Sequence, residues 1–148
     1  MNIENQDPLI PDQIRTLLEN WSLAVRNKDL DAIMAAYHPD VVAFDAIIEL
    51  QFKGRDAYSK HWAHCLNLCP GEMLFEQRDL VVQGAGNVAF AHWLNHCGAT
   101  DANGVIQGAW MRGSAGYLRT PDGWKIVHEH FSAPFDMASG KALFDLQP

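Results

Sequence analysis

The second half of the chain constrains the fold most. Four long stretches, EMLFEQRDLVVQG, NVAFAHWLNHCGAT, GVIQGAWMRGSAGYLRT and GWKIVHEHFSAPF, carry β-branched and aromatic residues and are separated by the turn signals GAGN, TDANG and TPDG. Loops this short join neighbouring strands back to back, so the pattern predicts an antiparallel meander. A meander with one apolar face needs something to cover it.

The first half supplies the cover. Ile14, Leu17, Leu18, Trp21 and Val25 recur at helical spacing, with Asp12 as a candidate N-cap. After the polar break RNKD, Leu30, Ile33, Met34 and Tyr37 predict a second short helix, ended by HPD because proline disfavours helical geometry in the residue before it. VVAFDAIIELQFKG lacks a helical period and reads as a short hairpin or bent strand pair, punctuated by Gly54. Tyr58, Trp62, Cys65 and Leu66 mark a third helix from Arg55 to about Leu68, stopped near CPGE. Three helices on one face of a curved, mostly antiparallel sheet make an α+β fold. The chain reads as a single domain over 1–148, with 1–11 as a polar leader.

Composition narrows the function classes. At 148 residues, 48% apolar with five Trp and seven Phe, the chain has enough material for one core. A net charge of −7, spread rather than blocked, argues against a nucleic-acid partner, which needs a Lys/Arg stripe. No apolar run approaches the roughly 18 residues of a membrane span, and MNIENQDPLIPDQ lacks a basic start and an apolar signal core. The expectation is a cytoplasmic protein with no membrane partner. Cys65, Cys69 and Cys97 then read as reduced thiols, behaving as small buried hydrophobes.

The order of elements, together with NKDLDAIMAAYHPDVVAFD, FKGRDAY, VAFAHWLN and DGWKIVHEHFSAPFD, resembles the SnoaL-like and ketosteroid isomerase-like families of the nuclear transport factor 2-like superfamily. The last segment also resembles the association domain of a calmodulin-dependent kinase. The resemblance covers nearly the whole chain and implies a cone-shaped fold in which the sheet wraps three N-terminal helices around a deep, mostly apolar pocket. It also implies an outer sheet face used for homodimerisation. A small-molecule ligand is the implied partner.

Asp45 ends the apolar run VVAFD, where a carboxylate loses hydration and becomes a stronger base. The resemblance places it where ketosteroid isomerase keeps the Asp that moves a proton next to a carbonyl. The alternative is a strand-end Asp capping a turn. The isomerase's oxyanion-donating Tyr corresponds to Trp21, and the neighbourhood of its neutral Asp to Ser114 or Ala115, so both donors are missing and a steroid isomerase is not expected.

By strand period Trp110, Arg112 and Ser114 share one face, which the resemblance makes the pocket face; Arg112 is then a candidate for holding a carboxylate or enolate oxygen, or pairs with Glu129. Phe90, His92, Leu94 and His96 are likewise implied to point inward. His92 is a second candidate acid/base or an orienter of Asp45, with a core histidine as its alternative. Trp62 and Trp110 are candidate walls for a flat or cyclic ligand. Period two puts Trp124, Ile126, His128 and His130 on one face and Lys125, Val127, Glu129 and Phe131 on the other. The resemblance turns Glu129 and Phe131 inward and the histidines outward; with the His128–His130 pair thus apart from the His92 face and no Cys at a ligand spacing with either, no transition metal is expected, and no cofactor is expected. The candidate site is therefore Asp45, His92 and Arg112 for catalysis, with Trp21, Trp62, His96, Trp110, Glu129 and Phe131 around the ligand. The function expected is lyase or isomerase chemistry begun by proton transfer to Asp45, or else a non-catalytic ligand-binding or association module.

Overall fold

A computed structural model describes residues 7–148 of the chain. Residues 1–6 of the expected leader lie outside the described residues. α1 spans Ile10–Arg26, α2 Leu30–Ala35 and α3 Arg55–Asn67; the strands are β1 Tyr37–Phe44, β2 Phe52–Lys53, β3 Met73–Ala85, β4 Val88–Thr100, β5 Ile106–Thr120 and β6 Gly123–Ser132. They form one sheet in the order β2-β1-β6-β5-β4-β3. The meander β3 to β6 is antiparallel throughout, and β1 joins it by pairing parallel to β6. Among the described residues no helix is long and apolar enough to cross a membrane.

α1 buries Ile10, Ile14, Leu18, Trp21 and Val25 in one stripe and packs on β3. It begins earlier than Asp12 implies. Leu9 is the cap residue, without a side-chain bond of its own, and Pro11 sits in the first turn, where a missing N–H costs nothing. α2 is capped by Asp29, whose side chain accepts from Ala32 N at 3.0 Å. Tyr37 does not belong to this helix. It opens β1, because the helical geometry that Pro39 excludes from His38 gives way to extended backbone early. That shift carries the Tyr37 ring into the core.

Register slips curve the sheet, one of them between Tyr37 and Val42 where β1 pairs with β6. In β3 the register slips between Arg78 and Val81, with Asp79 at φ +56°. In β6, Gly116 pairs with His128 and Tyr117 with Ile126, which leaves Val127 as an extra residue. The bulge corrects the simple alternation expected for β6: Ile126 is fully buried, and so is Glu129 three residues on. Without that extra residue Glu129 would share the face opposite Ile126.

Candidate functional site

Three parts of the fold converge on one cavity of about 270 Å³: the segment after β1, α3, and the concave faces of β3 to β6. Its walls are apolar, with Trp62 and Leu66 from α3, Phe75 from β3, Met111 from β5 and Phe131 from β6. Trp21 lies underneath rather than on the wall. Its indole meets Trp62 edge-on at 5.9 Å and stacks on Phe131 at 6.3 Å, so it sets the position of two wall residues.

The polar end of the cavity is built by Asp45 and His61. Asp45 follows the last residue of β1, and His61 lies on the face of α3 that also buries Tyr58 and Trp62. His61 Nε2 stands 3.5 Å from Asp45 Oδ1, with the side chains only 5% and 12% exposed. The carboxylate is held from two other directions, accepting from Ile47 N at 3.1 Å through Oδ1 and from Tyr58 Oη at 3.0 Å through Oδ2. Asp45 thus caps the turn after β1 and faces the cavity at once. Asn95 is the buried polar residue of the β4 wall, its Oδ1 accepting from Trp93 Nε1 at 3.3 Å.

Behind Asp45 lies a wholly buried acid. Glu129 Oε2 is 2.8 Å from Tyr37 Oη and 2.8 Å from Tyr58 Oη, and Tyr58 therefore touches both carboxyl groups. Burial pushes the Glu129 carboxyl up to about 8, partly offset by the two phenol hydrogen bonds and reinforced by the charge of Asp45. Burial and the Glu129 charge raise Tyr37 and Tyr58 well above the ordinary phenol value, so both remain protonated donors.

Three cysteines, Cys65, Cys69 and Cys97, also line the cavity, and all three are free thiols. Cys65 Sγ lies 3.6 Å from His61 Nε2. Burial, with Asp45 and Cys69 adding to it, pushes the Cys65 thiol up to about 11, and burial raises Cys97 as well. A thiol held there is the wrong species for a nucleophile.

Of the residues expected from sequence, the structure brings Asp45, Trp62 and Phe131 to the cavity, with Trp21 and Glu129 directly behind it. It separates the others. His92 and Arg112 lie with Ser114 and His130 in a groove on the convex face, where Arg112 Nε donates to Ser132 Oγ at 3.1 Å rather than to Glu129. His96 and Trp110, cross-strand partners, stack at 4.4 Å on that same face. The inward residues of β4 are Ala89, Ala91, Trp93, Asn95 and Cys97, and those of β5 are Met111, Gly113, Ala115 and Tyr117. The expected facing of both strands is thus reversed. Small residues on the concave side make room for large ones beside them: a Cβ on Gly113 would lie 2.5 Å from the Trp93 ring.

His61, Tyr37 and Tyr58 are the site residues that the sequence reading missed. His61 had a signal, since it falls three residues after Tyr58 and four before Cys65 on the apolar face of α3.

Comparison with known proteins agrees with this architecture. The profile of the SnoaL-like domain matches residues 14–136. The chain belongs to the SnoaL-like family. This SnoaL-like protein is 48% identical to an NTF2-like protein of unknown function from Pseudomonas putida KT2440, over 97% of this chain and 100% of that one, with a TM-score of 0.91. It shares its fold with a candidate dehydratase of the NTF2-like family from Streptomyces avermitilis at 18% identity, over 82% and 93% of the two chains and a TM-score of 0.73. A candidate calcium/calmodulin-dependent protein kinase II association domain from Xanthomonas campestris, also at 18% identity, matches over 90% and 97% with a TM-score of 0.73. Among curated proteins none is similar in sequence.

Proposed function

We propose that this SnoaL-like protein binds a small, mostly apolar cyclic carbonyl compound and moves a proton on it, in isomerase or lyase chemistry, with Asp45 and His61 as the acid–base pair. One observation carries the reading: the cavity is apolar except where a carboxylate and an imidazole meet at 3.5 Å, nearly out of water. In such surroundings an acid–base pair acts without competition from solvent, and proton transfer by a positioned side chain is worth about 10²–10⁴ in rate. Asn95 offers an amide donor for a carbonyl oxygen on the same wall. The size of the cavity, about 270 Å³ and just below the roughly 300–1,000 Å³ of ligand sites, favours a single-ring or compact two-ring compound. The likeness to a candidate dehydratase agrees in reaction class.

His92 and Arg112, on the far face of the sheet, take no part in this scheme. Their surroundings favour a different use: Val81, Val88, Phe90 and Leu118 are all exposed on long strands that no helix among the described residues covers on that face. A second copy of the chain covering this face forms a homodimer.

The test of the catalytic reading is turnover of small cyclic ketones and β-hydroxy ketones by the wild type, Asp45→Asn and His61→Asn. Loss of turnover in both variants with binding retained supports it. Equal turnover in all three overturns it.

A further inference from the structure

Asp45 on the cavity wall and three side chains behind it make three oxygen–oxygen contacts: Tyr37 Oη to Glu129 Oε2 at 2.8 Å, Tyr58 Oη to Glu129 Oε2 at 2.8 Å, and Tyr58 Oη to Asp45 Oδ2 at 3.0 Å. Each phenol owns one hydrogen, so two hydrogens serve three contacts if both carboxyl groups are ionised. One contact would then oppose two lone pairs among buried side chains, which is costly. A third hydrogen on one carboxyl removes the conflict. With that hydrogen on Glu129, Tyr37 donates to Glu129 Oε2, the Glu129 hydroxyl donates to Tyr58 Oη, and Tyr58 donates to Asp45 Oδ2. With the hydrogen on Asp45, the Asp45 hydroxyl donates to Tyr58 Oη and Tyr58 donates to Glu129 Oε2. The two forms use the same heavy-atom positions.

We infer that Glu129 is a buried proton store in series with Asp45, joined to it through the hydroxyl of Tyr58. The inference rests on the reading of Asp45 as half of the acid–base pair. In the transfer the Glu129 O–H bond breaks as Tyr58 Oη takes the proton, and the Tyr58 O–H bond breaks as its hydrogen passes to Asp45 Oδ2. Tyr58 is neutral before and after, and the negative charge moves from Asp45 to Glu129. An Asp45 that has given its proton to a ligand is thereby reprotonated from the interior of the protein. Glu129 and Tyr58 are positioning residues in this arrangement, since neither is part of the cavity wall.

The environment of Glu129 favours the proton resting there. Glu129 is wholly buried, whereas Asp45 keeps some exposure at the cavity. The titratable groups facing it are Tyr37 from β1, Asp45 from the segment that follows, Tyr58 from α3 and Tyr117 from β5, and none is a cation. Burial holds its carboxyl near 8.

Carbon-13 NMR of glutamate side-chain carboxyls between about pH 5 and about pH 10 tests the inference on protein without ligand. Glu129→Gln assigns the signal. The wild-type signal is expected to be that of a neutral carboxyl at about pH 6 and to titrate above neutrality. Asp45→Asn is expected to lower its midpoint, and in a Tyr58→Phe background the same change is expected to lower it by less than half as much. An ionised Glu129 at about pH 6, or equal effects of Asp45→Asn in both backgrounds, overturns the inference. The wild-type spectrum decides the first point even if Tyr58→Phe does not fold. Neither result depends on turnover, so an ionised Glu129 leaves the Asp45–His61 chemistry standing, and wild-type turnover by Asp45→Asn leaves the carboxyl titration standing.

Discussion

Asp45 Oδ1 and His61 Nε2 stand 3.5 Å apart on the cavity lining, one just after the end of β1 and the other from the middle of α3. Asp45 also accepts from Ile47 N and Tyr58 Oη, so its substitution separates structural from chemical roles. Asn keeps an acceptor for the turn. Asp45→Asn is expected to cost about 1 kcal/mol or less in urea melts, while turnover falls by about 10²–10⁴.

Glu129 sets a pH dependence of stability with a defined sign. Its folded value is raised from 4.5 to about 8, so between those limits the folded state holds a proton that the unfolded chain has released. Stability from this group is fully present below about pH 4.5, declines as pH rises, and is lost above about pH 8. Glu129→Gln has no such proton to lose. The stability of the variant relative to wild type is expected to rise across that window by a few kcal/mol in order of magnitude and then level off. Melts at pH 5, 7 and 9 check it; a difference that is flat or falls with pH contradicts the burial of a neutral acid.

The cysteines on the wall are expected to be slow thiols. Burial moves Cys65 from 9.0 to about 11, which reduces its thiolate fraction about a hundredfold at neutral pH. Alkylation by iodoacetamide, followed by mass spectrometry, is expected to proceed at Cys65 well below the rate of an exposed thiol. Cys65→Ala should retain turnover.

The outer sheet face is expected to pair two chains. Light scattering at micromolar concentration should give a dimer mass, and Phe90→Glu, which places a charge among Val88 and Leu118, should give a monomer. A wild-type monomer contradicts the homodimer.

The order of elements was legible because local signals coincided with it. The apolar stripe of α1, the meander turns and the bounds of α3 all follow from spacing and turn chemistry. The facing of β4 and β5 was not, since alternation tells two faces apart but not which is inside. Here the inner face carries Ala89, Ala91 and Ala115, while Phe90 and Trp110 are outside. Large and small residues occur on both faces, since Trp93 and Tyr117 are inside, so size does not tell the faces apart. The β6 bulge was hidden too, because an extra residue such as Val127 has no composition of its own. Asp45 was legible from its place at the end of an apolar run. Its partner His61 needed the third dimension, since sixteen positions and a hairpin separate them in the chain.

The most direct test of the Asp45–His61 pair is deuterium exchange from heavy water into the carbon next to the carbonyl of a small cyclic ketone, followed by proton NMR. The wild type is expected to accelerate exchange, and Asp45→Asn and His61→Asn each to slow it by about 10²-fold or more while ketone binding persists. Exchange at the wild-type rate in both variants would contradict the account.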